Sequence, residues 1–181
     1  MNASDEILRT TRLILTRVRP SHIPALIDLW TDPGVTRYLG GPREKSSLAA
    51  DLEKTAQDPW TETYDLWTLV ETESGKVVGH CGLLEKDVEG AKEVELVYVL
   101  APQAWGKGYA TEIAAAIKTH ALEKLGLRRL VSLIDPSNGA SERVAKKIGM
   151  RPEKEVVRPG GAVRRVYVIG LSSLDEPGCA A

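Results

Sequence analysis

Leu96-Val97-Tyr98-Val99-Leu100-Ala101-Pro102-Gln103-Ala104-Trp105-Gly106-Lys107-Gly108-Tyr109-Ala110-Thr111 is the stretch whose reading decides the fold. A strand-like apolar run gives way to a loop with glycines at 106 and 108, and the loop opens a helix read from Thr111 to Lys124. Glycine adopts dihedrals that other residues avoid and lets backbone approach a ligand. The first N–H groups of a helix have no internal partners, and with the helix dipole they form an anion site. A pyrophosphate fits that description; a helix-start turn without a ligand fits it equally. Gly106-Lys107-Gly108 lacks the third glycine of the Rossmann spacing, and no Gly-Lys-Ser/Thr is present for a P-loop.

Outward from this stretch the chain alternates between periods. Upstream, Asp65 to Glu71, Lys76 to Leu84 and Lys92 to Leu100 read as strands joined by Ser74-Gly75 and Glu89-Gly90, an antiparallel meander. Before them come a strand from Arg12 to Val18 and a helix opened by Pro20-Ser21. Ile23, Leu26, Ile27 and Trp30 line that helix and Asp32-Pro33-Gly34 stops it. A second helix runs from Ser47 to about Gln57. Downstream, Ile113, Ile117 and Ala121 share a helix face. A strand at Leu130 to Ile134 follows, then a helix capped by Ser137-Asn138 that ends at Gly149, then strands at Glu153 to Arg158 and Val163 to Leu171. This order predicts a mixed α/β (α+β) fold around one sheet.

The chain has 181 residues, with 24 Lys and Arg against 25 Asp and Glu, 43% hydrophobic and 27% charged residues. Those values exclude wholesale disorder. The longest uncharged run, Leu96 to Gly106, is too short to cross a membrane. Residues 1–181 are expected to form one domain with a core over about 9–171. Cys81 and Cys179 make no disulfide framework, the acidic start is not a signal peptide, and a cytoplasmic location is the expectation. His22, His80 and His120 are scattered, so no metal site is expected. Residues 1–90 carry a net charge of −5 and residues 91–181 a net +4. Neither half is basic enough for nucleic acid. The asymmetry reads either as solvated surface or as an anionic ligand on the second half and a cationic one favoured by the first.

Gln103-x-x-Gly106-x-Gly108 after a strand resembles the Gln/Arg-x-x-Gly-x-Gly/Ala signature of GCN5-related N-acetyltransferases (the GNAT superfamily). Thr11-Arg12-Leu13-Ile14-Leu15 is similar to the opening strand of the branch that includes ribosomal-protein N-terminal acetyltransferases, and Gly75-Lys76-Val77-Val78-Gly79 to a turn between its strands. Asn138-Gly139-Ala140-Ser141 and Lys147-Ile148-Gly149-Met150 resemble its late Asn-x-x-Ser … Lys-x-Gly-Phe block. The matches come in family order. The resemblance implies a splayed, mostly antiparallel sheet flanked by helices and a pocket for acetyl-CoA as co-substrate, without a metal. Tyr98, Val99 and Leu100 would offer backbone to the pantetheine arm, as a sheet edge accepts an added strand. Gln103, Ala104, Trp105, Gly106, Lys107, Gly108, Tyr109, Ala110 and Thr111 would hold the pyrophosphate, mainly by backbone N–H. Asn138 would bond the pantetheine arm, as well as or instead of capping its helix. Lys107, Arg143 and Lys147 are candidate phosphate contacts.

The implied reaction is acetyl transfer to a primary amine by direct attack in a ternary complex. An alkylammonium has a pKa of about 10 and must lose a proton first. Glu95 is the candidate base: it sits mid-strand, where an unpaired carboxylate is costly to bury, and the family often has Glu there. The alternative for Glu95 is a solvated or ion-paired surface residue. A backbone N–H near Val99 would receive the carbonyl charge, and the Ser141 hydroxyl would donate to the leaving thiolate. Ala145 stands where many members have Tyr, Val97 where this branch usually has Gly, Met150 where Phe is usual, and Trp105 where a basic or polar residue is common. Trp30 to Leu39 and Pro159 to Ala162 are expected to shape the acceptor side, with Trp30, Tyr38 and Trp60 as candidate lining. The acceptor is a small-molecule amine or a protein N-terminus, the assembly a monomer or homodimer. A non-catalytic CoA-binding module and an unrelated nucleotide binder are the rival readings.

Overall fold

The computed structural model describes residues 5–58 and 64–170; Trp60, Leu171 and Cys179 lie outside them. One eight-stranded sheet carries the molecule. Its strands are β1 (Glu6–Arg9), β2 (Leu13–Thr16), β3 (Leu66–Glu71), β4 (Val77–Val88), β5 (Ala91–Leu100), β6 (Arg129–Ile134), β7 (Arg151–Val157) and β8 (Val163–Gly170). They stand in the order β1-β2-β3-β4-β5-β6-β8-β7, and every neighbouring pair is antiparallel except β5 with β6. The helices are α1 (Ile23–Thr31), α2 (Pro33–Thr36), α3 (Lys45–Gln57), α4 (Tyr109–Thr119) and α5 (Gly139–Lys147). The expected mixed, mostly antiparallel sheet with flanking helices is the architecture found.

Local chemistry explains most boundaries. Glu89 and Gly90 both take positive φ, 55° and 84°, the conformation a two-residue hairpin turn requires. The turn closes on the Val88–Ala91 pair, so β4 runs four residues past the expected Leu84. Asp32 ends α1 as expected, yet its carboxylate accepts from the N–H groups of Gly34 and Val35 at 2.7 and 3.2 Å and so starts α2. Strand β1 is an addition to the sequence reading; its four residues have no alternation to betray it, and pairing with β2 alone defines it.

Two apolar layers sandwich the sheet. Ile113, Ile117 and Ala121, the predicted face of α4, are fully buried against Leu83, Leu96, Leu130 and Tyr167. On the other face α1 and α3 bring Leu26, Leu29, Trp30 and Leu52 onto Val99 and Ala101. Met150 fills the first layer, as expected of a flexible replacement for Phe. Strand alternation therefore sends Leu96, Tyr98 and Leu100 toward α4 and α5, and Glu95, Val97 and Val99 toward the opposite side.

A buried histidine ties the second layer to the sheet. His80 Nδ1 accepts from the Trp30 indole at 3.0 Å, and Nε2 lies 3.0 Å from the Leu66 carbonyl. Only the neutral Nε2–H tautomer satisfies both contacts, and burial pushes the His80 pKa down to about 4 from its ordinary 6.5. A depressed folded-state pKa contributes stability above pH 6.5 that is lost as pH falls through 4. Thermal unfolding followed from pH 7 to 4 should therefore show a falling midpoint that flattens in His80→Gln. Trp30→Phe, which orphans Nδ1, should cost about 1–3 kcal/mol at neutral pH.

Candidate active site

Strands β5 and β6 are registered at one pair, Glu95 with Val131. Past that point the two strands splay. The Ala101 N–H donates to the Val78 carbonyl at 2.9 Å, which fixes the phase of β5. Odd-numbered residues, Val99 among them, turn their main-chain groups toward β4, and even-numbered ones toward the splay. There the Leu96 carbonyl accepts from the Ser132 hydroxyl at 2.8 Å, and the Leu100 carbonyl from the Trp105 indole at 2.8 Å. The main chain of Tyr98 and the N–H of Leu100 remain facing the gap. Of the three residues expected to offer backbone, Tyr98 and Leu100 turn main-chain groups to the gap and Val99 turns its own to β4.

The loop of residues 101–108 closes one end of this gap. Gly106 and Gly108 have φ of 74° and 80°, which a side chain would strain. Gly108 is the residue that opens α4. Arg12 pins the loop from behind. Its guanidinium donates to the Lys107 carbonyl at 2.9 Å, pairs with Glu112 at 2.6 Å and lies 4.6 Å from the centre of the Tyr109 ring. Tyr109 in turn donates to Glu71 at 2.7 Å. The sequence reading used Arg12 only as a strand marker; nothing local in the sequence joins it to a residue a hundred positions away.

A cleft of about 490 Å³ follows the splay. Its walls include Tyr98, Val99, Leu100, Ala104, Trp105, Gly106, Gly108, Tyr109, Ala110, Thr111, Asn138 and Ser141. Two of the expected contacts stand elsewhere. Gln103 lines a separate pocket of about 160 Å³ beside Asp28 and Asp32. Lys107 directs its ammonium to Glu71, 3.6 Å away. Cations not tied down in this way do line the cleft: Arg37, Arg143 and Lys147. Among the described residues none of the three forms an ion pair. Arg37, at the end of α2, escaped the sequence reading as a cation, though its segment was marked for the acceptor side.

At the far end of the splay the Leu133 N–H, which would meet β5 backbone in a continuous sheet, donates to Glu95 Oε1 at 3.2 Å. Burial pushes the Glu95 pKa up from the ordinary carboxylate value; the Leu133 bond and the charges of Lys86, Arg158 and Arg164 oppose it in part. Asn138 caps α5 through Oδ1, which accepts from the Ser141 N–H at 3.1 Å. Its amide nitrogen is not used by that bond, so capping leaves a donor for a ligand. The Tyr98 hydroxyl donates to the Ser141 carbonyl at 3.0 Å. Ser141 is thus held through its main chain, and its residue lines the cleft. Ala145 is fully buried in the core. Val97 packs toward α1 and α3 rather than into the gap. Cys81 is buried, with its thiol pushed up to about 12. Among the described residues no three His, Cys, Asp or Glu side chains converge on a metal position, and no helix is long and apolar enough to cross a membrane.

A family model described as an acetyltransferase (GNAT) domain matches residues 12–151. The chain belongs to the GNAT acetyltransferase family. It is 26% identical over 178 residues to the uncharacterized N-acetyltransferase p20 of Bacillus licheniformis, covering 96% of this chain and 99% of that one. It is 31% identical over 128 residues to the uncharacterized protein YkkB of Bacillus subtilis, covering 71% and 74% of the two chains. Among solved structures, an acetyltransferase from Agrobacterium tumefaciens superposes with a TM-score of 0.76 at 28% identity, covering 91% of this chain and 94% of that one. A spermidine N-acetyltransferase from Vibrio cholerae, solved with CoA and spermine, shares the fold with a TM-score of 0.73 at 15% identity, over 89% and 96% of the chains. The GNAT chain described here is, by family, an N-acetyltransferase.

Arg12→Ala should free the loop without touching the cleft wall. The loss of its charge-assisted bonds is expected to cost about 1.5–3 kcal/mol. Amide hydrogen exchange over residues 105–112 should rise more than that of β3 and β4.

Proposed function

We propose that this GNAT enzyme transfers the acetyl group of acetyl-CoA to a primary amine by direct attack within a ternary complex. The observation that carries the reading is one alignment. A glycine loop at a helix start and unpaired strand backbone follow one another along one cleft, and a largely buried carboxylate stands on the same strand, on the other face of the sheet. Acetyl-CoA would supply a thioester-activated acetyl group. The N–H groups of residues 106–110 suit a pyrophosphate, whereas those of Ala104 and Trp105 already donate to the Ala101 and Pro102 carbonyls. Arg143, Lys147 and Arg37 add charge for phosphate, a role Lys107 does not share while it is paired to Glu71. The open backbone of Tyr98 and the N–H of Leu100 suit the amides of a pantetheine arm, which would complete the interrupted strand pairing.

Glu95 then faces the acceptor from the opposite side of the sheet. One oxygen is held by Leu133, leaving the other to take the ammonium proton, directly or through one water. A base with a raised pKa is better matched to an amine than an ordinary carboxylate is. The Leu100 N–H is the donor nearest in phase to stabilise the reacting carbonyl, and the Ser141 hydroxyl is the candidate donor to the thiolate. Cys81, buried and with a raised pKa, is no acyl carrier, which favours direct attack over a covalent enzyme intermediate.

Free-thiol release from acetyl-CoA, scored over an amine panel, tests this. Glu95→Gln should lower kcat by about 10²–10⁴-fold while CoA binding, measured by calorimetry, stays intact. Activity should rise with pH through the raised Glu95 pKa, so the acidic limb lies above the ordinary carboxylate range and disappears in the variant. Equal turnover by Glu95→Gln would leave a CoA-binding module or a different base. Gly108→Ala, strained at positive φ, should weaken CoA binding itself.

A further inference from the structure

Three cations, Lys86, Arg158 and Arg164, act on the Glu95 carboxylate. Leu84 is its partner across β4, and Lys86, two residues on, shares its face. Arg164 reaches the same region from β8, pairing with Asp135 at 3.1 Å and donating to the Tyr38 carbonyl at 3.3 Å. Arg158 arrives from the end of β7 and donates to the Asp87 carbonyl. Several carboxylates nearby already have cations, while that of Asp87 accepts from the Gly90 N–H at 2.9 Å. Glu93 accepts from Arg129 at 3.1 Å, Asp135 is held by Arg164, and Glu89 by Lys154 at 2.6 Å. Among the described residues Lys86 and Arg158 pair with no carboxylate within 4 Å. Among the described residues no helix covers this face around Glu95, since α4 and α5 pack on the other one and α1 and α3 cover β4 and β5 nearer Val99.

A diamine would bring a second ammonium against Lys86 and Arg158. An amine that also bears a carboxylate would set its ammonium at Glu95 and its anion at the two unpaired cations. We propose that the acceptor of this enzyme is an amine carrying a carboxylate or similar anion close to the reacting nitrogen, read by Lys86 and Arg158. The inference rests on the acetyltransferase reading for its chemistry, but its recognition element is separate from the CoA cleft. It runs against the sign suggested by the acidic first half of the sequence.

The test compares matched acceptors by free-thiol release: glutamate, its amidated counterpart, and a diamine of similar length. A peptide with an acidic second residue and its neutral counterpart form a second arm, which separates a free amino acid from a protein N-terminus as the source of the anion. The anionic member of at least one arm should lead its neutral match by about tenfold or more in kcat/KM. Lys86→Glu should collapse that lead and raise the relative standing of the diamine. A diamine or amide that matches the anionic acceptor, or a lead unmoved by Lys86→Glu, overturns the proposal while leaving acetyl transfer standing. Should no amine be acetylated, calorimetry of the same pairs into CoA-saturated protein decides. Preferential binding of the anionic member upholds the recognition site and removes the acetyltransferase reading; equal binding removes the recognition site.

Discussion

Two parallel strands that touch at one residue and then part create a problem that the rest of the molecule answers. Main-chain N–H and C=O groups inside a protein require partners, and the divergence of β5 from β6 leaves several without backbone ones. Some are met by side chains: Ser132 serves the Leu96 carbonyl, Trp105 serves the Leu100 carbonyl, and Glu95 receives the Leu133 N–H. The remainder face a cleft. The same divergence lets the cleft run between residues 34–39 on one side and the start of α5 on the other.

The Glu95 carboxylate serves two ends. As a substitute for strand backbone it holds the point of divergence, and the bond to Leu133 keeps one oxygen oriented. Because it is buried to do so, its affinity for protons rises. Under the proposed reaction, structural and chemical demands coincide at Glu95. The Tyr98–Ser141 and Asn138–Ser141 bonds play a comparable part across the cleft, fixing the start of α5 relative to β5 through main-chain atoms.

Much of this was legible in the sequence, for identifiable reasons. The meander was written in turn residues, the α4 face in its 3.6-residue spacing, and the glycine loop in two residues that only positive φ explains. Glu95 stood out because a charged residue interrupted a strand. What escaped was long-range. Strand β1 carries no alternation. Arg12 gains its role only through Glu112 and the Lys107 carbonyl. Gln103 and Lys107 sit within the right motif, but a short turn at Pro102–Ala104 and the Glu71 carboxylate direct their side chains elsewhere. The main-chain phase of β5 is likewise invisible until the pairing partner is known.

Trp105 holds the rim of the cleft by one indole bond to Leu100 while half its surface stays exposed. Trp30 and Trp67 are buried deep in the two apolar layers. An indole ring that is wet on one side and tethered to the strand end that a ligand would line is an intrinsic optical probe. Its emission would change with what enters the cleft, against a background from the buried Trp30 and Trp67 and from Trp60.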